Sequence, residues 1–407
     1  MLEHVVVGMG MSSLGVIEGL VEAKKESILV VDIPEKEIEY SFVNGVKKAL
    51  GQIGLGGNSQ LWHGVISYMN SCNSEKYKKT FDFFLNKYYS KSVNKMRSGY
   101  SFIPHKPLRP KKIIETNFKG KVDFLFDKLL MIEILEDCVK LHFKNKVIIT
   151  KYLWICTGTT GTFQILKNSK CINLLEDNLV DDHLVGYFGQ IKSSDLPVNF
   201  NNKIKYSFLG HFKKFHTIKL SSGKKMYLNL RPAHFSFKDI DIASDSRSFF
   251  SQNSISIIKK LFISLNLGLI LEAFYNKFGF YVKSNLYNLV GHIEINDALK
   301  YSCAKESLEY IRTEVVFSDN DLKEIDEYFG CQVIMKNKVM VSPGIHFMNL
   351  KSNFNNIKID DNLQNEYNNS NVILCSGLSL KTESPEHPTF SLLIYSYLKV
   401  KSLLNKI

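Results

Sequence analysis

Apolar residues in the first third of the chain come as short unbroken runs separated by helical spacing. His4 to Val7 has the pattern of a buried strand, and Met11 to Lys25 that of a helix. Ile28 to Val31 is a second buried run, ending at Asp32. That order predicts a parallel βαβ unit. Val122 to Phe126, Leu130 to Leu135 and Val139 to Phe143 predict strands of a small antiparallel layer. Lys151 to Ile155 is another buried run, leading into Cys156 and Gly158. Beyond residue 190 the polarity alternates instead. Lys205 to Leu209, His216 to Leu220, Lys225 to Leu230 and His234 to Phe237 read as strands, and Ala304 to Ile311 and Asp319 to Tyr328 as helices. Val372 to Leu374 returns to strand, followed by a turn at Gly377 and a closing helix from near Pro388.

This layout predicts an α/β protein: a Rossmann-like dinucleotide-binding domain with a smaller α+β substrate domain built on an antiparallel sheet. Residues 1–190 and 336–407 are assigned to the first and 191–335 to the second; 407 residues suffice for two cores. Ile255 to Phe280 is apolar but interrupted by Lys259, Lys260, Asn266, Glu272 and Lys277. A spanning helix needs ~20 nearly continuous apolar residues. A buried or amphipathic helix fits this stretch, and so does an interfacial helix making peripheral membrane contact.

The net charge of +12 raises a nucleic-acid reading. The lysines come as scattered pairs, such as Lys24-Lys25, Lys78-Lys79 and Lys213-Lys214, rather than one stripe interleaved with aromatics. No nucleic-acid partner is therefore expected. The seven cysteines are odd in number, irregularly spaced and without a C-x-x-C pair. Neither a disulfide framework nor a metal site follows, and a reducing, cytoplasmic setting is expected.

Between the first strand and helix stand Gly8, Gly10, Ser12 and Ser13. Gly8 permits a tight turn, Gly10 lets the backbone approach a pyrophosphate, and the helix N-terminus faces the phosphates. Ser13 takes the place of a third small residue and allows close helix–strand packing. Asp32, 22 residues beyond Gly10, is placed to accept hydrogen bonds from an adenosine ribose. The pattern indicates a dinucleotide and leaves NAD and FAD both open.

Further segments resemble the glucose-methanol-choline (GMC) oxidoreductases. Gly54 to Gly64, with Gly56, Gly57, Asn58 and Ser59, is similar to the family's second FAD-contact motif. Ile155 to Leu166, containing Gly158, resembles its later strand–turn–helix segment, and Asp182-His183 its D-H dipeptide. His346, then Gly377-Leu378-Ser379, then His387, Pro388 and Thr389 follow the family's C-terminal order. The resemblance spans the two parts of the first domain and not the middle block. It implies bound FAD, and Leu61, where some members attach flavin through histidine, implies a noncovalent cofactor. Asn349 departs from the family's glycine, and Gly377 makes the C-terminal stretch resemble the G-x-S subgroup, many of whose members occur alongside sugar and polysaccharide enzymes.

The resemblance assigns His346 and His387 to the catalytic positions. Oxidising an alcohol removes the hydroxyl proton as hydride leaves carbon, and a neutral histidine suits that proton. His346 is the expected base and His387 its partner, with the order between them open. Pro388 and Thr389 would start a helix whose positive end faces the flavin N1–C2 edge. The expected function is FAD-dependent oxidation of an alcohol, plausible substrates being sugar and polyol hydroxyls. The electron acceptor is open among oxygen, a quinone and a protein. A flavoenzyme of the same fold with different redox or elimination chemistry is one rival, and a flavin-binding partner subunit another.

Overall fold

The computed structural model describes residues 1–35, 37–43, 46–54, 56–60, 65–68, 74–90, 100–104, 106–170, 179–197, 200, 205–207, 210–232, 286–302, 307–310, 314–334, 336, 338–341, 349–350, 357–359, 365–367, 371–377 and 389–404. Strand β1 (Leu2–Val7), helix α1 (Met11–Glu22) and strand β2 (Ile28–Asp32) form the opening unit. A long excursion carries β3 (Glu37–Val43), β4 (Val46–Ile53), α2 (Glu75–Tyr89), β5 (Tyr100–Pro104) and α3 (Pro110–Asn117). The chain returns through β6 (Asp123–Phe126), β7 (Met131–Ile134), β8 (Val139–His142) and β9 (Val147–Ile155), which leads into α4 (Gly158–Asn168).

A second set of strands comprises β10 (Leu179–Lys192), β11 (Lys205–Ser207), β12 (Gly210–Lys214), β13 (His216–Lys219), β14 (Lys225–Pro232), β15 (Leu286–Ser302) and β16 (Ser307–Tyr310). The pair β17 (Glu314–Val316) and β18 (Val339–Val341) flanks helix α5 (Asp319–Phe329). β19 (Asn349–Leu350), β20 (Ile357–Ile359) and β21 (Asn365–Tyr367) precede β22 (Val372–Leu374) and the closing helix α6 (Thr389–Leu404).

In the first sheet β1 is central, parallel to β2 on one side and β9 on the other. β6 lies parallel beyond β2. The outer edge of β9 serves two partners: Val147 to Thr150 pair antiparallel with β8, and Leu153 to Ile155 pair parallel with β22. The buried runs of β1 and β9 are apolar on both faces because both faces are covered. Val6, Tyr152 and Trp154 share a core with α1 and α6, whereas Val5, Val7, Leu153 and Ile155 pack with Phe163 and Leu166 of α4.

The second sheet runs β13-β14-β15-β10-β19, with β16 on β15. It starts at Leu179 and recruits Asn349–Leu350, so its strands reach beyond both ends of the 191–335 block. One face, with Phe188, Ile191, Met226, Leu228, Leu230, Leu289 and Ile293, packs against Leu322, Ile325 and Phe329 of α5. That helix has sequence-encoded ends: a capping box between Ser318 and Asp321, and a left-handed Gly330 at its C-terminus. Among the described residues no helix is long and apolar enough to cross a membrane.

Two expectations are corrected. Asp123–Phe126 belongs to the parallel sheet beside β2, since an apolar run does not encode the direction of its partner. Ser307–Tyr310, within the segment expected as a helix, is a strand on β15, whose open edge decides the matter over local propensity. His234 to Phe237 and the apolar stretch at 255–280 lie outside the described residues.

Candidate functional site

All five parallel strands end at one edge of the first sheet, where β1 has β2, next in the chain, on one side and β9, reached much later, on the other. A crevice at such a switch point is where open α/β sheets bind ligands. Gly8 leaves β1 with φ +103°, a region that favours glycine, and a Cβ there would stand 2.6 Å from the Cys156 carbonyl oxygen. Gly10 is the N-cap of α1 in extended backbone, with no side-chain cap and no acid in the first turn. The first N–H groups of α1 therefore present donors and positive potential to the crevice.

The second glycine motif meets the first. Gly56 and Gly57 both have positive φ and lead into a single 3₁₀ turn, Gly57–Gln60. Asp32 organises this loop: its Oδ2 accepts from the Gly56 N–H at 2.8 Å and its Oδ1 from the Ile33 N–H at 3.0 Å. Burial raises the Asp32 carboxyl above the usual range, opposed by those two N–H groups. Ser59 Oγ donates to the Gly56 carbonyl at 2.6 Å. A Cβ on Gly10 would lie 3.9 Å from the Gly56 oxygen and 4.0 Å from Ser59 Oγ. Across Gly10 the second loop presents the Gly56 carbonyl and the Ser59 hydroxyl, and the backbone donors that suit a pyrophosphate come from the N-terminus of α1. With two of its roughly four lone-pair sites engaged, the Asp32 carboxylate can still accept from ribose hydroxyls.

Ser12 and Ser13 are buried. The Ser13 hydroxyl faces the Cys156 thiol, so its side chain fills the helix–strand contact. Gly158, φ +72°, opens α4 at the end of β9, and Gly377 is buried just beyond β22. Thr389 begins α6. Gly15 and Gly19 of α1 abut Leu393 and Val400 of α6 respectively, so the two helices run in the same sense. Met11 and Thr389, each four residues earlier, put both helix N-termini at the same end. His346, His387, Pro388 and the Asn58 side chain lie outside the described residues. Asp182 and His183 sit on β10 opposite Ile295 and Glu294, their side chains likewise outside.

The structure adds residues that sequence reading did not single out. The face of the second sheet opposite α5 carries Tyr227, Asn229, Asn288 and His292, all buried. The Tyr227 hydroxyl is within 3.1 Å of Ser67 Oγ and 2.9 Å of Ser101 Oγ, so this face turns toward the excursion that follows β2. Asn229 donates to the Val290 carbonyl at 2.9 Å, and Gln190 to Asn288 Oδ1 at 2.9 Å. A polar sheet face shut away from water requires partners, and protein groups supply them, among them Ser67, Ser101, Gln190 and the Val290 carbonyl. The alternation in Asn288 to Glu294 is the signal that points to it.

The chain is similar in fold to pyridoxine 4-oxidase. The likeness to that enzyme, from Mesorbium loti, has a TM-score of 0.55 at 9% identity and covers 100% of this chain and 99% of the other. The Diels-Alderase PyrE3 aligns at TM-score 0.35 and 8% identity, over 100% of this chain and 66% of its own. No family model and no curated protein matches the sequence.

Proposed function

We propose that this protein is a flavoenzyme that holds FAD noncovalently and oxidises a CH–OH group. The observation that carries the reading is the meeting of the two glycine loops at the uncapped N-terminus of α1, tied together by Asp32 and Gly56. The whole-chain likeness in fold to pyridoxine 4-oxidase supports it. When bound, FAD would supply the hydride acceptor. Gly8, Gly10 and the first turn of α1 would bind the pyrophosphate, and Asp32 the ribose. Gly56, Gly57, Asn58 and Ser59 would line the dinucleotide, with Gly158, Gly377 and Thr389 closing the same edge.

His346 would take the hydroxyl proton and His387 orient the hydroxyl. His387 stands two residues before Thr389, whose helix starts at the same end as α1, and this supports its assignment. The polar face of Tyr227, Asn229, Asn288 and His292 would bind the substrate's polar groups. The substrate class is a primary or secondary alcohol, with sugars, polyols and pyridoxine the first to try.

The test is the visible spectrum of the purified protein, followed by addition of these alcohols without air. Flavin bands that bleach with one of them support the reading. A colourless protein that takes up no added FAD overturns it. His346→Ala should keep the flavin and lose turnover by at least about a hundredfold; near-normal turnover removes His346 from the mechanism.

A further inference from the structure

Two cysteines and a lysine that this reading does not use are buried together under the crevice. Cys156 directly follows β9 and Cys375 directly follows β22. The parallel register runs Leu153–Val372, Trp154–Ile373, Ile155–Leu374, and the Cys375 N–H continues it to the Ile155 carbonyl at 2.9 Å. The next opposed pair is Cys156 and Cys375. Both belong to the core cluster on the α1 and α6 side of the sheet, so their side chains point the same way. Neighbouring strands lie about 4.8 Å apart, within the Cα separation of about 4.4–6.8 Å that a disulfide spans.

Lys399 of α6 reaches into this pair. It is buried, its Nζ donates to the Leu374 carbonyl at 2.5 Å, and burial lowers its pKa, opposed by the two cysteines that face it. Burial of a lysine away from a carboxylate is costly unless another group takes up the charge. Burial also raises both thiols, yet the hydrogen bond from Cys156, the Lys399 ammonium and the Ser396 hydroxyl leave Cys375 below the ordinary cysteine range. Cys156 stays well above it, with Ser13 beside it. The two sulfurs thus shift in opposite directions, Cys375 down and Cys156 up.

We propose that Cys156 and Cys375 are a peroxide-sensitive dithiol that closes to a disulfide across the ends of β9 and β22. The Cys375 thiolate attacks one oxygen of hydrogen peroxide, the O–O bond breaks, and Lys399 protonates the departing hydroxide to water. The Cys156 sulfur then attacks the Cys375 sulfenic acid. The S–S bond forms, the S–O bond breaks, and the oxygen leaves as water with the Cys156 proton. Two thiols lose two electrons and one peroxide becomes two waters. The Cys156 carbonyl packs on Gly8, and Gly377 follows Cys375 by two residues, so the modification sits in the floor of the dinucleotide site. It is independent of the reaction performed above it.

The test treats the purified full-length protein with hydrogen peroxide, then alkylates it in denaturant and maps its peptides. Oxidised protein should carry two fewer labels than the seven of the reduced chain, with one linked peptide pair containing Cys156 and Cys375. In Cys156→Ser, Cys375 should stop as a sulfenic acid that dimedone traps. Lys399→Met should slow oxidation at least tenfold while the protein stays folded by circular dichroism. Full labelling of both cysteines after peroxide, or a link through other cysteines, overturns the proposal. So does a rate unaltered in a folded Lys399→Met.

Discussion

Gly15 of α1 lies directly against the backbone carbonyl of Leu393 in α6: a Cβ at Gly15 would stand 2.1 Å from that oxygen. The obstacle is main chain, so no rotamer change relieves it, and the helices must separate. Such overpacking costs about 1–3 kcal/mol. Gly15→Ala should lower the urea midpoint with an unchanged denaturant slope, and weaken flavin retention because both helix N-termini move. A midpoint equal to wild type would mean that the helices do not meet here.

Asp32 holds the second glycine loop through the Gly56 N–H. Asp32→Ala leaves that buried donor unsatisfied, a penalty of about 1–3 kcal/mol, and removes the acceptor offered to a ribose. FAD affinity should fall at least tenfold, measured by fluorescence as flavin is released. Gly8→Ala should abolish binding, since it combines a positive φ with contact on the Cys156 carbonyl. Tight FAD binding by both variants would exclude the crevice as the cofactor site.

The opening βαβ unit was legible because three local signals agree: two buried runs, helical spacing between them, and Gly8, Gly10 and Asp32 at the junctions. Helix α5 was legible for the same reason. β10 and β15 were not, although they form the spine of the second sheet. Gly186, Gly189 and Gly291 break their apolar pattern, and the pairing shifts register near Gly189. A Cβ at Gly291 would meet the backbone carbonyl oxygen of Tyr227 at 2.0 Å, so that glycine records a strand-to-strand approach no local pattern encodes. The Asp32–Gly56 bond joins residues 24 apart, and only the fold brings them together.

His216 supplies a pH test. Its ring is buried against Phe200 and Phe329, with centroids at 5.3 and 5.5 Å, and burial, with Lys214 nearby, lowers its pKa to about 4. A histidine with a depressed folded pKa contributes stability above its ordinary value of 6.5, and that contribution is lost as pH falls through 4. Between those values the unfolded chain binds a proton that the folded chain refuses, worth up to roughly 3 kcal/mol at the acid end. His4, also lowered to about 4 by burial, acts in the same window. His216→Phe keeps an aromatic ring among its neighbours and should reduce the loss of stability between pH 6.5 and 4, read from urea midpoints. An identical pH dependence would mean that folding leaves the proton affinity of His216 unchanged.

The polar face of the second sheet allows substrate contacts to be separated from scaffolding. The Tyr227 ring stacks on Phe215 at 4.6 Å while its hydroxyl bonds Ser67 and Ser101. Tyr227→Phe keeps the stack and removes the bridge, so it should cost stability by about 1 kcal/mol. His292 pairs with Tyr227 across β14 and β15 on the same face. His292→Ala should leave the flavin spectrum unchanged and lower kcat/KM for the alcohol at least tenfold. Removing a group that binds ground state and transition state alike shows as raised KM at constant kcat, whereas one that acts only in the transition state lowers kcat. Flavin loss in His292→Ala, or unaltered kinetics, would show that this face supports the fold and does not touch the substrate.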